Sequence, residues 1–261
     1  MDLNVMTFNL RIDLESDGEN SWIHRKDFVA DVIRKLQPDI MGTQEATADM
    51  ISDLNERLPD YEAAGEGRRG GHEDEHCAVF FNTKKINLRF HHTFWLSETP
   101  EKKGSKSWGS AYPRICTWVR MECLHTGKQM SVYNTHLDHE SQEAREKGIE
   151  LLLNKMKEDK KEGNSQILMG DFNVSGHNTV LNILNENEQL TNVHSSMGQQ
   201  CCTFHNFEGK TAGEPIDFIF FSSDLNHQYT EIVKANENGR YPSDHYPVVS
   251  VFSPSQLIKE Q

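Results

Sequence analysis

The chain has 261 residues, enough to bury a sizeable core without disulfides, and we expect one domain over residues 1–261. Its formal net charge of −13 disfavours proteins that grip a nucleic acid backbone, although a local basic patch could overrule this. The five cysteines lack zinc-like spacing, and no stretch approaches the roughly 20 apolar residues of a membrane span. The N-terminal sequence MDLNVMTFNL lacks signal-peptide features, so a cytoplasmic location is the default expectation.

The first part of the chain alternates predicted strands and helices. Hydrophobic alternation predicts a strand over residues 3–10, and apolar residues at helical spacing predict a helix that stops before Pro38. The short strand DIMGTQEA then leads into a second helix, which Pro59 closes. The stretch GEGRRGGHEDEH, rich in glycine and charge, predicts a solvated loop from which Glu75 could reach a substrate.

The second part of the chain contains more strands and two further helices. CAVFFNT, INLRF and TFWLSE are predicted to be strands or strand pieces, and CTWVRMECL and QMSVYNTHL form a hairpin around HTGK. A helix with Ile149, Leu152 and Met156 on its apolar face comes next, followed by a strand that runs into Asp171. A short helix over residues 180–184 precedes the strands PIDFIFFS and HYPVVSVF. This order predicts an α/β fold with two packed sheets and helices outside.

Polar side chains follow or end many of these predicted strands. Asp171 and Asn173 are two positions apart, so on an extended chain their side chains point the same way. Strand ends that gather at one rim of a sheet are the usual location of a binding site in α/β folds. The candidates for metal or phosphate contacts are Asn9, Gln44, Glu45, Asn134, His136, Asp138, Asp171, Asn173, Asp217, Asp244 and His245.

Six motifs occur in order along essentially the whole chain: TFNLR, GTQEA, YNTHLD, GDFN, IDFIF and SDHYPV. Together they resemble the endonuclease/exonuclease/phosphatase superfamily, and the stretches FWLSETP and YPRICTWVR resemble its bacterial branch. The resemblance implies a four-layer α/β/β/α sandwich of two packed mixed sheets with helices outside. It also implies hydrolysis of phosphate monoesters or diesters with Mg²⁺, for which Mn²⁺ is an alternative.

The resemblance assigns three residues to the metal. We expect Glu45 to be the main ligand because it ends an apolar strand and because Mg²⁺ prefers hard oxygen ligands. Asn9 would offer its amide oxygen or contact the phosphate, and Asp244 would be a second carboxylate near the ion. The structural alternatives are a Glu45 that only caps the next helix and an Asn9 that only forms a turn.

Five residues are expected to carry the chemistry. The resemblance implies that Asp171 is the general base or orients the attacking water, and that Asn173 holds the phosphate or a second ion. Asp217 and His245 resemble a carboxylate–imidazole pair, in which the carboxylate favours the imidazolium beside a phosphate. His136 would donate a hydrogen bond to a phosphoryl oxygen as charge builds there. An Asx-turn at Asp171 and a core histidine at His136 are the structural alternatives.

Two arginines are candidates for substrate binding. Arg114, in AYPRICTW, could form a forked contact with a phosphate oxygen, and Arg68 could close over the substrate from the glycine-rich loop. For each of them, an ordinary surface arginine is the alternative.

The sequence is compatible with several classes of phosphate-ester substrate. A phosphatase or phosphodiesterase acting on a small phosphorylated molecule, such as a sugar phosphate, is preferred over a DNA or RNA nuclease because the chain is acidic. A lipid esterase would need an exposed apolar hairpin, which is not obvious, and EPIDFIFF lacks the Cys-Asp-Arg of inositol-polyphosphate phosphatases. A non-catalytic binding module is the alternative from another class, and the intact polar set disfavours it. The oligomeric state is not predicted.

Overall fold

The structure is a computed structural model that describes residues 2–160, 164–196 and 201–254. Within these ranges the chain forms twelve β-strands, four α-helices and two short 3₁₀ segments. In chain order the strands and α-helices are β1 (Leu3–Asn9), α1 (Trp22–Leu36), β2 (Ile40–Gln44), α2 (Ala48–Arg57), β3 (Tyr61–Ala64), β4 (Val79–Asn82), β5 (Ile86–Trp95), β6 (Ile115–Cys123), β7 (Gln129–His136), α3 (Gln142–Asp159), β8 (Ser165–Asp171), α4 (Thr179–Asn185), β9 (Leu190–Asn192), β10 (Asp217–Ser222), β11 (Leu225–Ile232) and β12 (Val248–Pro254).

The strands form two mixed six-stranded sheets. The first sheet has the order β11-β12-β1-β2-β4-β3, and the second has the order β5-β6-β7-β8-β10-β9. The pairs β1–β2 and β7–β8 are parallel, and the other neighbouring strands are antiparallel. This architecture confirms the predicted α/β class and the two packed mixed sheets.

Apolar side chains divide the molecule into four layers. Val5 and Ile40 of the first sheet pack with Val132 and Ile167 of the second, so one core lies between the sheets. A second core joins α1 and α2 to the outer face of the first sheet, and a third joins α3 and α4 to the outer face of the second. Among the described residues, no helix combines the length and the apolar character that a membrane crossing requires.

A polar contact crosses the core between the two sheets. Gln44 donates from Nε2 to Oδ1 of Asn134 at 2.7 Å, and Asn134 donates from Nδ2 to the carbonyl oxygens of Thr43 and Ala78 at 2.9 Å. The adjacent Gly42 allows this approach, because a Cβ atom there would lie 2.7 Å from Asn134 Oδ1. Gln44 and Asn134 are fully buried, so these two candidates connect the sheets, and neither is among the residues that line the active-site cleft.

Three strands were not predicted. β3 and β9 have only four and three residues, which is too short for a clear alternation of apolar and polar positions. β11 is a mostly exposed edge strand of polar residues, LNHQYTEI, and so lacks a buried face that would mark it. INLRF and TFWLSE belong to the single strand β5, which is interrupted by an irregularity between Leu88 and Phe90.

Candidate active site

The polar ends of four strands meet at one rim of the sandwich. In the first sheet, Asn9 at the end of β1 pairs with Gln44 at the end of the parallel strand β2, and Glu45 follows. In the second sheet, His136 at the end of β7 pairs with Asp171 at the end of the parallel strand β8. Asp171 also pairs with Asp217, the first residue of the antiparallel strand β10. Strand pairing therefore brings residues that are far apart in sequence to one place.

Two residues at this rim, Glu45 and Asn173, have an unusual backbone conformation. Glu45 has a φ angle of 62° and Asn173 has a φ angle of 51°, both in the left-handed region that non-glycine residues rarely adopt. Both residues lie directly beyond a buried strand. Backbone strain of this kind is typical of functional sites, where it fixes the direction of a side chain.

Asn9 connects the two sheets within the site. Its Nδ2 donates to Oε1 of Glu45 and to Oδ2 of Asp171, each at 2.9 Å. The other oxygen of Glu45 accepts a hydrogen bond from the backbone amide of Ile12 at 2.9 Å. Asn9 and Glu45 therefore hold fixed positions, and neither is only a turn residue or only a helix cap.

Asp171, Asp217 and His245 form a buried group of titratable side chains. Nδ1 of His245 lies 2.8 Å from Oδ2 of Asp217, and its Nε2 lies 3.8 Å from Oδ2 of Asp171. Burial, followed by repulsion from Asp217, raises the pKa of Asp171 to about 7. Burial would lower the pKa of His245, but the neighbouring carboxylates, above all Asp217, raise it to about 10. The geometry thus supports a His245 imidazolium at neutral pH.

His136 and Asn173 contact each other beside Asp171. Nδ2 of Asn173 lies 2.9 Å from Nε2 of His136 and also donates to the carbonyl oxygen of Leu137 at 3.0 Å. Burial, assisted by the charge of Arg114, holds the pKa of His136 well below its usual value. Burial therefore disfavours the imidazolium form of His136, and its Nε2 lies within hydrogen-bond distance of the Asn173 amide. A hydrogen bond from Nε2 to a phosphoryl oxygen would require this contact to break.

Asp244 lies on the first-sheet side of the site. It is buried, and burial raises the pKa of its carboxyl group. Nε of Arg11 is 3.9 Å from Asp244 Oδ2 and 2.9 Å from Asp17 Oδ2. The preceding Ser243 donates from Oγ to the carbonyl oxygen of Asn9 at 2.7 Å, which ties Asp244 to the end of β1.

An open cleft of about 470 Å³ lies over these residues. Arg114 and Arg68 line its wall, but both are buried and neither is an ordinary surface arginine. Arg114 Nε lies 3.3 Å from Oδ2 of Asp138, and its Nη2 lies 2.9 Å from Nδ1 of His139. The cleft is lined by Arg11, Ile12, Glu45, Arg68, Glu75, Tyr112, Arg114, His136, His139, Asp171, Asn173, Phe204, Asn206, Ile216, Asp244 and His245.

The glycine-rich loop between β3 and β4 differs from its prediction as a solvated loop. Arg68 forms ion pairs with Asp74 and Glu75, each at 2.8 Å, and His76 is buried. Glu75 lines the cleft, and burial raises its pKa to about 7 in spite of the charge of Arg68. Arg69, His72 and Glu73 of the same loop are exposed, so the prediction of a solvated loop is wrong only for part of it.

The donor set suits a hard divalent cation. One carboxylate oxygen or imidazole nitrogen from each of Glu45, His136 and Asp171 lies within 4.8 Å of the others, and the same holds for Asp171, Asp217 and His245. Within the described ranges, Oδ1 of Asp217 is buried without a hydrogen-bond partner. The carboxylate oxygens of Glu45 and Asp171 match the ligand preference of Mg²⁺ and Mn²⁺.

Comparison with known proteins agrees with the fold and with the family resemblance. Residues 6–245 match the sequence model of the Endonuclease/Exonuclease/phosphatase family, whereas no curated protein matches the chain. An endonuclease/exonuclease/phosphatase from Bacteroides vulgatus is 32% identical with a TM-score of 0.91, over 97% of this chain and 99% of that one. A mannosyl-6-phosphatase from Bacteroides thetaiotaomicron is 31% identical with a TM-score of 0.89, over 96% and 99% of the two chains.

A more distant structure shares the fold alone. TDP2 from D. rerio, complexed with a single-strand DNA product, is 16% identical with a TM-score of 0.78, over 97% of this chain and 99% of that one. The family match spans nearly the whole chain, and its name covers enzymes that cleave phosphate esters. The chain therefore belongs to the endonuclease/exonuclease/phosphatase family.

Proposed function

We propose that the protein is a divalent-metal-dependent phosphatase or phosphodiesterase that acts on a small phosphorylated molecule such as a sugar phosphate. The observation that carries the proposal is the meeting of Glu45, Asp171 and His245 at one cleft, beside two buried arginines. The 31% identity to a mannosyl-6-phosphatase supports the substrate class.

Asn9, Glu45 and Asp244 would hold Mg²⁺ or Mn²⁺ through carboxylate and amide oxygens. Such an ion neutralises charge on the phosphate and polarises the phosphorus–oxygen bonds. The fixed Glu45 carboxylate supports this assignment, because Ile12 and Asn9 restrain one oxygen each. A ligand whose position is already restrained loses little further freedom when the ion binds.

Asp171 would accept the proton of the attacking water. A general base works best when its pKa lies near the working pH, and burial brings the pKa of Asp171 to about 7. The Asn173 backbone amide donates to Oδ1 of Asp171 at 2.9 Å, while the Asn9 side chain donates to Oδ2. These two donors fix the carboxylate, which supports in-line attack by an oriented water.

His245 would stabilise the negative charge that develops on the phosphoryl oxygens. Asp217 lies behind the ring and favours the imidazolium, so the charged donor is already present before the substrate binds. Asn173 would donate from its side-chain amide to the phosphate, and His136 would assist after this amide turns toward the substrate.

Arg114 and Arg68 line the same cleft and would bind the substrate. The Asp138 carboxylate lies behind Arg114, so the remaining guanidinium donors can turn toward a phosphate oxygen. Asp138 itself accepts backbone hydrogen bonds from Ala111 and Ser141 at 3.0 and 2.8 Å. This network supports Arg114 as a preorganised anion contact.

A nuclease acting on DNA or RNA is the alternative function. It requires free cationic side chains along the strand path, because counterion release supplies most of the affinity. The net charge of the chain is −13. This acidic surplus favours the small substrate.

Turnover of a substrate panel with Mg²⁺ or Mn²⁺ tests the proposal. The panel contains sugar phosphates, nucleotides, bis-p-nitrophenyl phosphate and abasic DNA. We expect the highest kcat/KM on a small phosphate ester, and Asp171→Ala to reduce kcat by about 10²–10⁴-fold while the fold stays intact. Asp31→Ala, on the exposed face of α1, is the matched control.

Equal turnover by Asp171→Ala and the parent would remove the role of Asp171. Preferential cleavage of DNA with a steep dependence on salt would replace the phosphatase by the nuclease.

A further inference from the structure

Glu75 is fixed at the cleft by hydrogen bonds around its loop. The backbone amide of Arg68 donates to the carbonyl oxygen of Glu75 at 2.8 Å, and that of His76 donates to the carbonyl oxygen of Ala46 at 2.7 Å. Trp95 donates from its indole nitrogen to the carbonyl oxygen of Arg68 at 2.6 Å. The loop is therefore attached to both sheets, which holds the backbone of Glu75 in place beside the cleft.

The Glu75 carboxylate pairs with an arginine and also borders the cleft. Oε1 lies 2.8 Å from Nη2 of Arg68, and the side chain is 14% exposed. Glu75 lines the cleft, so its remaining acceptor capacity is available to a donor bound there. An anionic phosphate repels this carboxylate, whereas a neutral hydroxyl group can donate to it.

An aromatic ring contacts the arginine that pairs with this carboxylate. The Arg68 guanidinium carbon lies 4.5 Å from the ring centroid of Tyr112, and the centroid of the His139 ring lies 5.9 Å away. Tyr112 remains 43% exposed and lines the cleft. A partly exposed ring close to a guanidinium and a carboxylate offers both apolar and hydrogen-bonding contacts. A polyol has the complementary features, since it carries C–H faces and hydroxyl donors.

We propose that Glu75, positioned by Arg68 and flanked by Tyr112, binds the hydroxyl groups of a polyol leaving group. Glu75 thereby selects sugar phosphates over phosphate esters without hydroxyls. This inference rests on the proposed hydrolysis of phosphate esters and names what the site recognises beyond the phosphate. A carboxylate that accepts a hydroxyl hydrogen bond discriminates against analogues that lack the hydroxyl group, because the acceptor oxygen then has no partner in the substrate.

The test compares kcat/KM for a hexose 6-phosphate with kcat/KM for p-nitrophenyl phosphate, whose leaving group has no hydroxyl donors once ionised. Glu75→Ala is expected to lower the ratio of the two values by about tenfold to a hundredfold, and Glu75→Gln to lower it less because one acceptor remains. Glu73→Ala, exposed in the same loop, should keep the parent ratio. Thermal unfolding establishes that each variant is folded, and Glu75→Gln decides the question if Glu75→Ala is not.

The possible results separate this inference from the proposed function. An unchanged ratio in a folded Glu75 variant, or equal losses on both esters, would overturn the inference and leave phosphate-ester hydrolysis standing. If the parent protein hydrolyses the aryl ester as efficiently as the hexose phosphate, the inference is likewise overturned and phosphate-ester hydrolysis still stands. A parent that hydrolyses neither ester would overturn the proposed function and the inference together.

Discussion

Asp217→Asn removes one negative charge from the buried pair with His245 and leaves the side-chain shape almost unchanged. Asp217 is fully buried, and its Oδ2 is 2.8 Å from Nδ1 of His245. Burial alone would lower the pKa of His245, and Asp217 is the main neighbour that raises it to about 10. The variant should therefore contain a neutral imidazole at neutral pH.

The pKa of His245 sets the size and the pH dependence of the effect. A rise from the ordinary value of 6.5 to about 10 corresponds to roughly 5 kcal/mol in favour of the imidazolium. Because the folded-state pKa lies above the unfolded value, this contribution is complete below pH 6.5 and is lost as the pH rises through about 10. We expect Asp217→Asn to lose about 3–5 kcal/mol of unfolding free energy near neutral pH.

Urea unfolding, NMR titration of His245 and steady-state kinetics measure the consequences. The kcat of Asp217→Asn relative to the parent should fall about 10²–10³-fold, with a larger loss at about pH 8 than at about pH 6. Asp31→Asn, in an exposed pair with Arg34, is the control and should change the unfolding free energy by at most about 1 kcal/mol. If His245 in Asp217→Asn still titrates near its parental pKa, Asp217 is not the group that stabilises the imidazolium.

Three further predictions follow from other parts of the structure. Glu45→Ala should raise the Mg²⁺ concentration for half-maximal activity at least about tenfold, and an unchanged titration would remove Glu45 as a ligand. Burial alone would raise the pKa of Asp138, but backbone donors led by Ser141 lower it to about 2. Asp138→Asn should therefore cost about 2 kcal/mol of unfolding free energy above about pH 4. That difference should vanish as the pH falls to about 2, and a difference independent of pH would contradict this origin. Gly42→Ala should destabilise the fold by about 1–3 kcal/mol in urea unfolding, because the new Cβ would meet Asn134; parental stability would contradict the close contact between the sheets.

The strands that carry the site could be predicted because each has a simple local signal. An apolar run followed directly by a polar residue marks the ends of β2 and β8. Parallel pairing places Gln44, which precedes Glu45, beside Asn9 in one sheet and Asp171 beside His136 in the other. The two sheets and the outer helices follow from the order of strands and helices along the chain. Local patterns were sufficient where each strand had a buried face.

Other features depend on contacts that no local pattern encodes. Gln44 and Asn134 resemble ligands at strand ends, yet their side chains meet each other between the sheets. Arg68 and Glu75 lie in a stretch with the composition of a solvated loop, but pairing between opposite charges lets them line the cleft. The edge strand β11 has few buried positions, so only its hydrogen bonds to β12 define it. In each case the environment of the residue depends on a contact with a residue that is distant in sequence and becomes its neighbour only in the folded chain.

We propose that Glu45, Asn9 and Asp244 bind one divalent cation at the rim where the two sheets meet. An anomalous difference map from a crystal soaked in Mn²⁺ locates such an ion. We expect a peak within about 2.5 Å of a Glu45 carboxylate oxygen and inside the cleft that Asp171 and His245 line. A map with full Mn²⁺ occupancy elsewhere on the protein and no peak in this cleft would exclude this metal site.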